Sequence, residues 1–399
     1  MVALGVLLRL LHIAHPGSLT FDENHFVNNA RNYLSGKADY NDHPPLGKLL
    51  IAVGIKLFGD NSLGWRAAPT FFGILSILLA WQLARAAFGD RRTGWIAAAL
   101  IAGDGFFIAY SRTALLDGML TSLVLATAVL TLRARREWHI LVACVSAGLA
   151  VGIKVSAAVL MAPILLVTLA MSQAPRVSAL YVAVVPAVYY LSYAAGFAII
   201  HAPYGPMDVW RATMGMMNHH LGETQMTNPL TSRFYTWLIP IKPITMRSEV
   251  GSNGMMRVMS SLGNPLLWWS SSLAMVAASA RLAWNGLRSV RPDVPEIPRA
   301  RSFLRLHGPA IAMLAVYWLA FIAPWVLSRR DSYVYHYLPS YGFAIVLVAG
   351  LLGHAYARWR RPALAAVLVL CLVAVFYAPV AAQLPLSPDA LYARIGWWP

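Results

Sequence analysis

Charged residues are scarce in this chain of 399 residues. Only 12% of the chain is Asp, Glu, Lys or Arg, whereas soluble domains average about 25%, and 58% is hydrophobic. The composition therefore excludes an ordinary soluble protein and indicates an integral membrane protein. Cys144 and Cys371 are the only cysteines and both lie in apolar runs, which favours buried thiols over a disulfide framework.

Several sequence motifs of catalysis are also missing. The chain has no P-loop, no GxGxxG at a strand-to-helix turn, no GxSxG and no HExxH. Its net charge of +16 comes without the interleaved aromatic and basic residues of a nucleic-acid-binding surface. No internal repeat of the kind found in many transporters is present. These absences argue against nucleotide chemistry, serine or zinc hydrolysis and nucleic-acid binding.

The apolar residues are grouped into runs close to the roughly 20 residues that a helix needs to cross a bilayer. They predict an all-α polytopic membrane protein with about eleven transmembrane helices. The first run, VALGVLLRLLHIA, has neither a basic n-region nor a small-residue cleavage site and therefore predicts a short uncleaved helix. The other predicted spans are about 65–87, 93–110, 114–132, 138–154, 156–171, 178–200, 265–283, 308–327, 337–356 and 362–380.

Arginine-rich connections predict the orientation of these helices. If the spans alternate, GDRR (89–92), RARR (133–136), RWRR (358–361) and the segment 284–306 fall on one side. The positive-inside rule makes that side cytoplasmic, with the N-terminus inside and the C-terminus outside. The net positive charge is then mainly a signal of topology, supported by attraction to anionic lipids.

The sequence predicts a single transmembrane domain over residues 1–399, with no separate soluble domain. Two long outer loops, 15–64 and 201–264, are rich in Trp, Tyr, Pro, His and Asn and also carry acids. Long loops without simple secondary structure are usually functional. We therefore expect the chemistry on the extracytoplasmic face, where these loops meet the spans.

The stretch LTFDENHF (19–26) places two scarce acids, Asp22 and Glu23, side by side just beyond the first apolar run. Such a pair can serve the start of a helix, where carboxylates interact with free N–H groups and the helix dipole. It can also supply a general base that takes a proton from a hydroxyl. A second polar cluster in the same loop favours the functional interpretation.

That cluster is NDHPPLGKLL (41–50), which carries Asp42, His43 and Lys48. Its two prolines predict a rigid turn before a helix. A rigid turn that presents these three side chains at a membrane surface suits anion binding. The alternative is a proline-capped helix lying at the interface.

Further ionisable residues lie at or inside the predicted span ends. Arg66, Arg112 and Asp117 are at outer ends, and Asp104 lies within the third span. A single residue of this kind is explained by snorkelling or pairing, but several on one face indicate a functional site. Arginines there can hold the phosphate of a lipid-linked donor, which would leave as the sugar is transferred.

The second outer loop supplies candidate acceptor or loop contacts at His219, His220, Arg233 and Trp237. Together with Glu223 the two histidines resemble a metal site, but adjacent histidines point in different directions on a helix and no third-ligand spacing is evident. Near the tenth span, DSYVYHYLPSYG (331–342) contains tyrosines typical of an aromatic belt. His336 in the same segment is not explained by a belt and is a candidate donor contact.

These motifs resemble one family. FDENHF, DHPPLGKLL, the span-initial Arg66 and SRTALLD resemble, in this order, the N-terminal half of the protein O-mannosyltransferases. NHH, TSRFYTWLIPIKP, LGNPLLWW and YHYLP are similar to the C-terminal half, so the resemblance runs over about residues 19–345. Glycosyltransferases that move aminoarabinose have a related Asp-Glu and Pro-Pro arrangement but lack the form HPPLGK.

The resemblance implies a GT-C glycosyltransferase fold whose two extracytoplasmic loops form the active site. It implies inverting transfer of mannose from polyprenyl-phosphate-mannose to Ser or Thr hydroxyls of exported proteins. Asp22 corresponds to the base, Glu23 to a residue that positions the acceptor or sugar, and Arg66 to the essential arginine of the second span. Contacts of His43, Lys48, Arg112, Asp42, Asp117 and His336 with the donor phosphate or sugar extend this assignment.

The chain departs from the family in two places. The 201–264 loop is too short for the β-trefoil domain of eukaryotic members, and Asn228-Pro229 stands where the family often has His-Pro. A compact, bacterial-type enzyme of the cytoplasmic (inner) membrane is therefore expected, with a polyprenyl carrier. No cofactor or metal is expected, because the lipid-linked sugar is a substrate. Besides the sugar donor and the protein acceptor, the expected partners are membrane lipids.

Two alternatives stay open. A related GT-C enzyme could transfer another sugar from a polyprenyl phosphate to a lipid or glycan. A transporter of lipid-linked sugars would instead place polar residues at mid-membrane, and Asp104 is the residue that best fits that alternative.

Overall fold

The structure, a computed structural model, describes residues 1–39, 41–170, 175–222, 228–239, 242–290, 303–328 and 330–396. Helices make up 75% of it, which confirms the predicted all-α membrane fold. The α-helices of the described residues are α1 (Val2–Leu10), α2 (Glu23–Leu34), α3 (Leu46–Phe58), α4 (Ser62–Phe88), α5 (Arg91–Gly103), α6 (Gly105–Ser111), α7 (Leu116–Leu132), α8 (Glu137–Ile153), α9 (Met161–Ala170), α10 (Pro175–Ile199), α11 (Pro206–Gly222), α12 (Pro265–Val290), α13 (Phe303–Leu327), α14 (Leu338–Arg358), α15 (Arg360–Ala381) and α16 (Pro388–Ile395).

Short elements complete the described part of the chain. Three 3₁₀ helices span Val155–Leu160, Phe234–Leu238 and Val334–Tyr337. Strands β1 (Thr245–Val250) and β2 (Met256–Ser260) form an antiparallel hairpin, with Ser248 opposite Val258 and a register irregularity near Thr245.

Each predicted span overlaps helical structure among the described residues. By length and composition alone, however, only four helical segments among the described residues are long and apolar enough to cross a membrane, or five if α5 and α6 form one bent span. The four are Ser62–Phe88, Leu306–Val326, Val334–Arg358 and Arg360–Ala381. Others, such as the 17-residue α7 and α8, are shorter. The count of eleven therefore stays a prediction.

Helices α5 and α6 meet at Asp104 with a bend of 64°. One carboxylate oxygen of Asp104 accepts hydrogen bonds from Phe106 N and Phe107 N at 3.0 and 3.3 Å, so the residue caps α6. The other oxygen accepts from Asn264 N at 2.9 Å and from the Tyr341 hydroxyl at 3.0 Å. This buried acid therefore joins three parts of the helix bundle, which accounts for its place inside a span without a transport pathway.

Helix α14 lies at the centre of the helix bundle. It packs against α5, α12, α13 and α15. Of an 18-residue apolar stretch in this helix 72% is buried, compared with 33% of the corresponding stretch in α15. Gly353 lets it approach α5 closely, because a Cβ there would lie 2.1 Å from Thr93 Oγ1. Helices α4 and α7 also pack on α14, and Arg66 on α4 and Ala114 just before α7 both donate to Glu23 in the first outer loop.

The segment between α1 and α2, residues 11–22, is here called the N-terminal arm. It contains left-handed residues at His12 and Phe21, with φ of 51° and 49°. Beyond it, α2 and α3 pack on each other and α3 packs on α4. In the second outer loop, β2 is held to the C-terminal segment by paired backbone hydrogen bonds of 2.7 and 2.9 Å between Met256 and Leu386.

Candidate active site

A cavity of about 300 Å³ lies at the outer end of the helix bundle, the end that carries the two predicted outer loops. Ionisable side chains dominate its lining although they are scarce in the chain. Six predicted site residues line it: Asp22, Asp42, His43, Asp117, His219 and His220. The other described lining residues are Phe21, His25, Phe26, Leu115, Lys154, Arg330 and Tyr335.

Asp22 stands at the N-cap position of α2, but its side chain makes no capping hydrogen bond. The carboxylate instead lines the cavity. Burial raises the pKa of Asp22, the charge of Lys154 opposes this rise, and the charge of Asp117 adds to it. The residue is thus a carboxylate of increased basicity in a partly dry site, as a general base requires.

Glu23, the next residue, is fully buried and does not line the cavity. Arg66 donates to its two oxygens at 2.7 and 2.8 Å. The same oxygens accept from Ala114 N at 2.8 Å and from the N and Oγ1 of Thr20 at 2.9 Å each. Glu23 therefore connects α2, α4 and the α6–α7 turn, and so fixes the position of Asp22 beside it.

Two predicted phosphate ligands, Arg66 and Arg112, lie outside the cavity lining. Besides Glu23, Arg66 donates to the carbonyls of Ile13, Pro16 and Ser18 at 3.1 to 3.3 Å. Arg112 donates to the carbonyls of Leu8, Arg9, Leu11 and His12 at 2.5 to 3.3 Å. Both guanidinium groups are thus engaged with the end of α1 and the N-terminal arm, and their geometry is that of positioning residues.

The first-loop cluster forms an ion-pair network beside Asp22. The Oδ2 of Asp42 lies 2.7 Å from His25 Nε2, and its Oδ1 lies 3.0 Å from Lys48 Nζ. Lys48 is fully buried under the loop and also contacts Asp39 at 2.5 Å. Burial would raise the pKa of Asp42, but the hydrogen bond from His25 and the nearby positive charges hold it well below its usual range. The same hydrogen bond raises the pKa of His25.

His43 lies between two aromatic neighbours in the cavity wall. Its ring stacks on Phe26 at a centroid distance of 5.9 Å and faces His220 at 5.5 Å. Burial lowers the pKa of His43 well below its usual value, and the charge of Lys154 acts in the same direction. A neutral imidazole here can donate or accept a hydrogen bond without adding charge.

Three lining residues, Lys154, Arg330 and His25, are not among the site residues that the sequence predicts. Lys154 follows α8 and donates to both oxygens of Asp117 at 2.9 and 3.0 Å, and its ammonium lies 5.1 Å from the centre of the Tyr335 ring. The sequence does indicate a functional role for Lys154, because a lone cation between two apolar runs is a candidate site residue. Arg330 enters from the segment after α13, a location that no local motif indicates.

The remaining predicted contacts lie at other positions. His336 lines a small adjoining cavity together with Asp117 and Lys154, and its ring lies 3.8 Å from that of Trp325. Trp237 is fully buried and donates to Ser232 Oγ at 3.0 Å, whereas Arg233 is exposed. Glu223 lies outside the described residues. Within the described ranges, no three His, Cys, Asp or Glu side chains are placed so that they could hold a metal ion, and the absence of a cofactor stays a prediction.

Solved structures define the fold class. The chain is similar to a Saccharomyces cerevisiae protein O-mannosyltransferase Pmt1-Pmt2 complex bound to the sugar donor, with a TM-score of 0.82, 12% identity, and coverage of 99% of this chain and 91% of that one. It is also similar to ArnT from Cupriavidus metallidurans, with a TM-score of 0.63, 15% identity, and coverage of 95% and 64%. The protein therefore has the GT-C fold of membrane glycosyltransferases.

Sequence comparison identifies the family within that class. The family models described as dolichyl-phosphate-mannose-protein mannosyltransferase match residues 1–65 and 42–201, and the C-terminal four-transmembrane region of protein O-mannosyltransferase matches residues 207–394. The chain belongs to the protein O-mannosyltransferase family.

Two mycobacterial relatives carry the name polyprenol-phosphate-mannose–protein mannosyltransferase. The one from Mycobacterium tuberculosis is 24% identical over 482 aligned positions, which cover 98% of this chain and 88% of the relative. The one from Mycolicibacterium smegmatis is 37% identical over 134 residues, which cover 31% of this chain but only 26% of the relative's length.

Proposed function

We propose that this protein transfers mannose from polyprenyl-phosphate-mannose to Ser or Thr hydroxyls of exported proteins, with inversion at the anomeric carbon. The observation that carries the proposal is that the Asp22 carboxylate and the cationic side chains of Lys154 and Arg330 line one cavity. The names of the mycobacterial relatives support mannose, the polyprenyl carrier and a protein acceptor.

In the proposed step, Asp22 accepts the proton of the acceptor hydroxyl as that oxygen forms a bond to the anomeric carbon. The bond between the anomeric carbon and the donor phosphate oxygen breaks, and its electron pair leaves with polyprenyl phosphate. A single displacement of this kind inverts the configuration. The raised pKa of Asp22 makes it a stronger base than an exposed aspartate.

Lys154 and Arg330 stabilise the negative charge that develops on the leaving phosphate. Asp117 fixes the Lys154 ammonium through two hydrogen bonds of 2.9 and 3.0 Å and leaves it at the cavity wall. These two cations take the phosphate role that the sequence suggested for Arg66 and Arg112. His43, beside His220, supplies a neutral hydrogen-bonding surface for the sugar or donor.

The proposed enzyme lies in the bacterial cytoplasmic membrane with the cavity on the extracytoplasmic face. Arginine-rich connections at the opposite end of the helices support this orientation. Exported acceptors and the sugar end of the donor would meet at that face.

A second candidate function is transfer of another sugar to a lipid or glycan. It is favoured by a 102-residue match, 38% identical, to a Pseudomonas aeruginosa enzyme named undecaprenyl phosphate-alpha-4-amino-4-deoxy-L-arabinose arabinosyl transferase. That match covers 24% of this chain, whereas the Mycobacterium tuberculosis match covers 98%.

The test uses the purified full chain with polyprenyl phosphates carrying radiolabelled mannose, glucose or aminoarabinose. The acceptors are a Ser/Thr peptide and a matched peptide in which Ala replaces each Ser and Thr. We expect label only from the mannose donor and only in the first peptide. Asp22→Asn should reduce that transfer by about 10²–10⁴-fold, the usual contribution of a general base. Asp389→Asn, which removes an exposed acid outside the cavity lining, is the matched control and should leave transfer unchanged.

Label from another donor, or in the alanine peptide, would contradict the assigned substrates. Full transfer by Asp22→Asn would contradict the assigned base even if mannose transfer is confirmed.

A further inference from the structure

A second cavity, of about 270 Å³, lies at the opposite end of the bundle from the candidate active site. It opens where α4 ends, α5 and α13 begin and α14 ends. We call this end, which carries the connections 89–92, 133–136 and 358–361, the arginine-rich face. Its described lining includes Phe88, Asp90, Arg92, His307, His354 and Tyr356. The proposed glycosyl transfer uses none of these residues.

Two guanidinium groups meet at Tyr356, which lines this cavity; Arg92 is also a lining residue, and Arg360 lies beside it. The Cζ of Arg92 lies 5.4 Å from the centre of the Tyr356 ring, and the Cζ of Arg360 lies 5.7 Å from the same ring. Cation–π contact thus gathers two like charges at one place. Within the part of the chain that the structure describes, no carboxylate lies at ion-pair distance from either group. Such a pair of exposed arginines suits a bidentate phosphate ligand.

One carboxylate, Asp90, is present among the described lining residues. Its Oδ2 accepts hydrogen bonds from the N and Oγ1 of Thr93 at 3.0 and 3.1 Å, so it serves as the N-cap of α5. Burial opposes ionisation, but the start of α5 and the charge of Arg92 both stabilise the ionised carboxylate and lower the pKa of Asp90. The electrostatic balance at the cavity mouth stays positive.

The inner wall adds polar ring nitrogens. His307 packs edge-on against Phe88 at a centroid distance of 5.3 Å, and His354 lies close enough to influence it electrostatically. Just outside the cavity, Leu306 on α13 and Leu351 on α14 expose 70% and 40% of their side-chain surface. A polar pocket thus borders on exposed apolar side chains, which would face lipid if this end of the bundle lies in a membrane.

We propose that this cavity binds the phosphate of an anionic membrane lipid, with the acyl chains lying along α13 and α14. Basic pockets between helix ends on the cytoplasmic side are typical sites for anionic headgroups. Inorganic phosphate shares the headgroup chemistry but lacks the chains that the adjacent apolar surface would bind.

The test is lipid retention by the purified full chain, measured by native mass spectrometry after transfer from mixed phosphatidylglycerol and phosphatidylcholine micelles. The variant is Arg92→Gln with Arg360→Gln. Both side chains are exposed at helix starts, so folding should be preserved. The matched control is Arg135→Gln with Arg136→Gln, which removes the same charge from exposed positions on the same face.

We expect the first double variant to retain phosphatidylglycerol about tenfold less than the control, since each basic residue near a headgroup contributes of the order of a few-fold in affinity. Phosphatidylcholine retention should not change. Equal loss in both double variants would show that net charge alone attracts the lipid and would overturn the proposal. Displacement of the lipid by inorganic phosphate in modest excess would overturn the lipid assignment in favour of a free-phosphate site.

Discussion

At the scale of single residues, Asp22 and Glu23 are neighbours with different environments. Glu23 is buried and its oxygens accept hydrogen bonds from Arg66, Thr20 and the Ala114 amide. Asp22 follows Phe21, whose left-handed φ of 49° turns the chain, and its carboxylate lines the cavity. The different environments of the two acids therefore follow from backbone geometry, because their side chains have the same chemistry.

The pH dependence of transfer should follow the ionisation of Asp22. A general base acts when deprotonated, so with Asp22 as the proposed base the rate should fall as the pH drops through the Asp22 pKa. Burial raises that pKa, so the acid limb of the pH–rate profile, where the rate falls with pH, should lie at a higher pH than it would with an exposed aspartate. Because the charge of Lys154 lowers the pKa of Asp22, Lys154→Gln should move the limb to still higher pH. Initial rates under saturating donor, measured across pH for the parent and Lys154→Gln, check this sign.

The control for that experiment is Lys56→Gln, which removes a lysine that is exposed on α3 and lies outside the cavity lining. Its acid limb should coincide with that of the parent. A limb that moves to lower pH in Lys154→Gln, or does not move, would mean that a group other than Asp22 limits the rate.

The sequence predicts only part of this site, and the reason is distance along the chain. Asp22, Asp42 and His43 lie within one loop whose motifs are local, so their convergence could be anticipated. Lys154 and Arg330 reach the same cavity from α8 and from the segment after α13. Only the packing of helices remote in sequence brings them there, and no single-sequence pattern encodes that packing.

At the scale of elements, the N-terminal arm is held by arginines whose role the sequence could not specify. Span-end arginines on the outer face suit phosphate binding, and their positions alone support that prediction. Helix α1 ends at Leu10, and backbone carbonyls at and beyond a helix end lack helical partners. Arg66 donates to three such carbonyls in the arm. Arg112 donates to two more in the arm and to the carbonyls of Leu8 and Arg9 at the end of α1. The direction of each guanidinium follows from this requirement.

Arg66→Lys should therefore lower stability and turnover more than donor affinity. A lysine keeps the charge but cannot bond both oxygens of Glu23 and three carbonyls at once. We expect a loss of about 1–3 kcal/mol of unfolding free energy and a reduced kcat, with a donor Kd within about twofold of the parent. Thermal unfolding, donor-binding titration and steady-state kinetics measure the three quantities. Lys154→Gln is the contrasting variant, in which donor binding should weaken.

A weakened donor Kd with unchanged kcat in Arg66→Lys would place Arg66 at the phosphate, as its position in the sequence suggested. Unchanged stability would contradict the structural role assigned to its bonds with the arm.

The break between α5 and α6 shows a second limit of element prediction. Hydropathy predicts one span over 93–110, and the structure has helix on both sides of Asp104 with a 64° bend. Asp104 caps α6 and accepts from Asn264 and Tyr341, groups that lie more than 150 positions away in the sequence. Hydropathy predicts where helices lie along the chain. It does not predict that Asp104 interrupts a span, because that break involves partners distant in the sequence.

At the scale of the whole molecule, charge is separated between the two ends of the bundle. Three acids, Asp22, Asp42 and Asp117, line the cavity at one end, whereas the connections at the other end are rich in arginine and Arg92 lines the cavity there. The positive-inside rule orients the arginine-rich face toward the cytoplasm, so the candidate active site would face outward. The proposed chemistry requires this orientation, because an exported acceptor is not available to a site on the cytoplasmic face.

Single cysteines introduced at the two ends test the orientation directly. Asn253 is exposed in the turn between β1 and β2, and Arg135 is exposed on the arginine-rich face. The two variants are Asn253→Cys and Arg135→Cys. We expect a membrane-impermeant maleimide to label Asn253→Cys in intact cells and Arg135→Cys only after permeabilisation. The parent supplies the background, since Cys144 is buried and Cys371 is half-buried within α15. Labelling of Arg135→Cys from outside, with Asn253→Cys protected, would reverse the topology. The Asp22 cavity would then face the cytoplasm, and exported proteins could no longer be its acceptors.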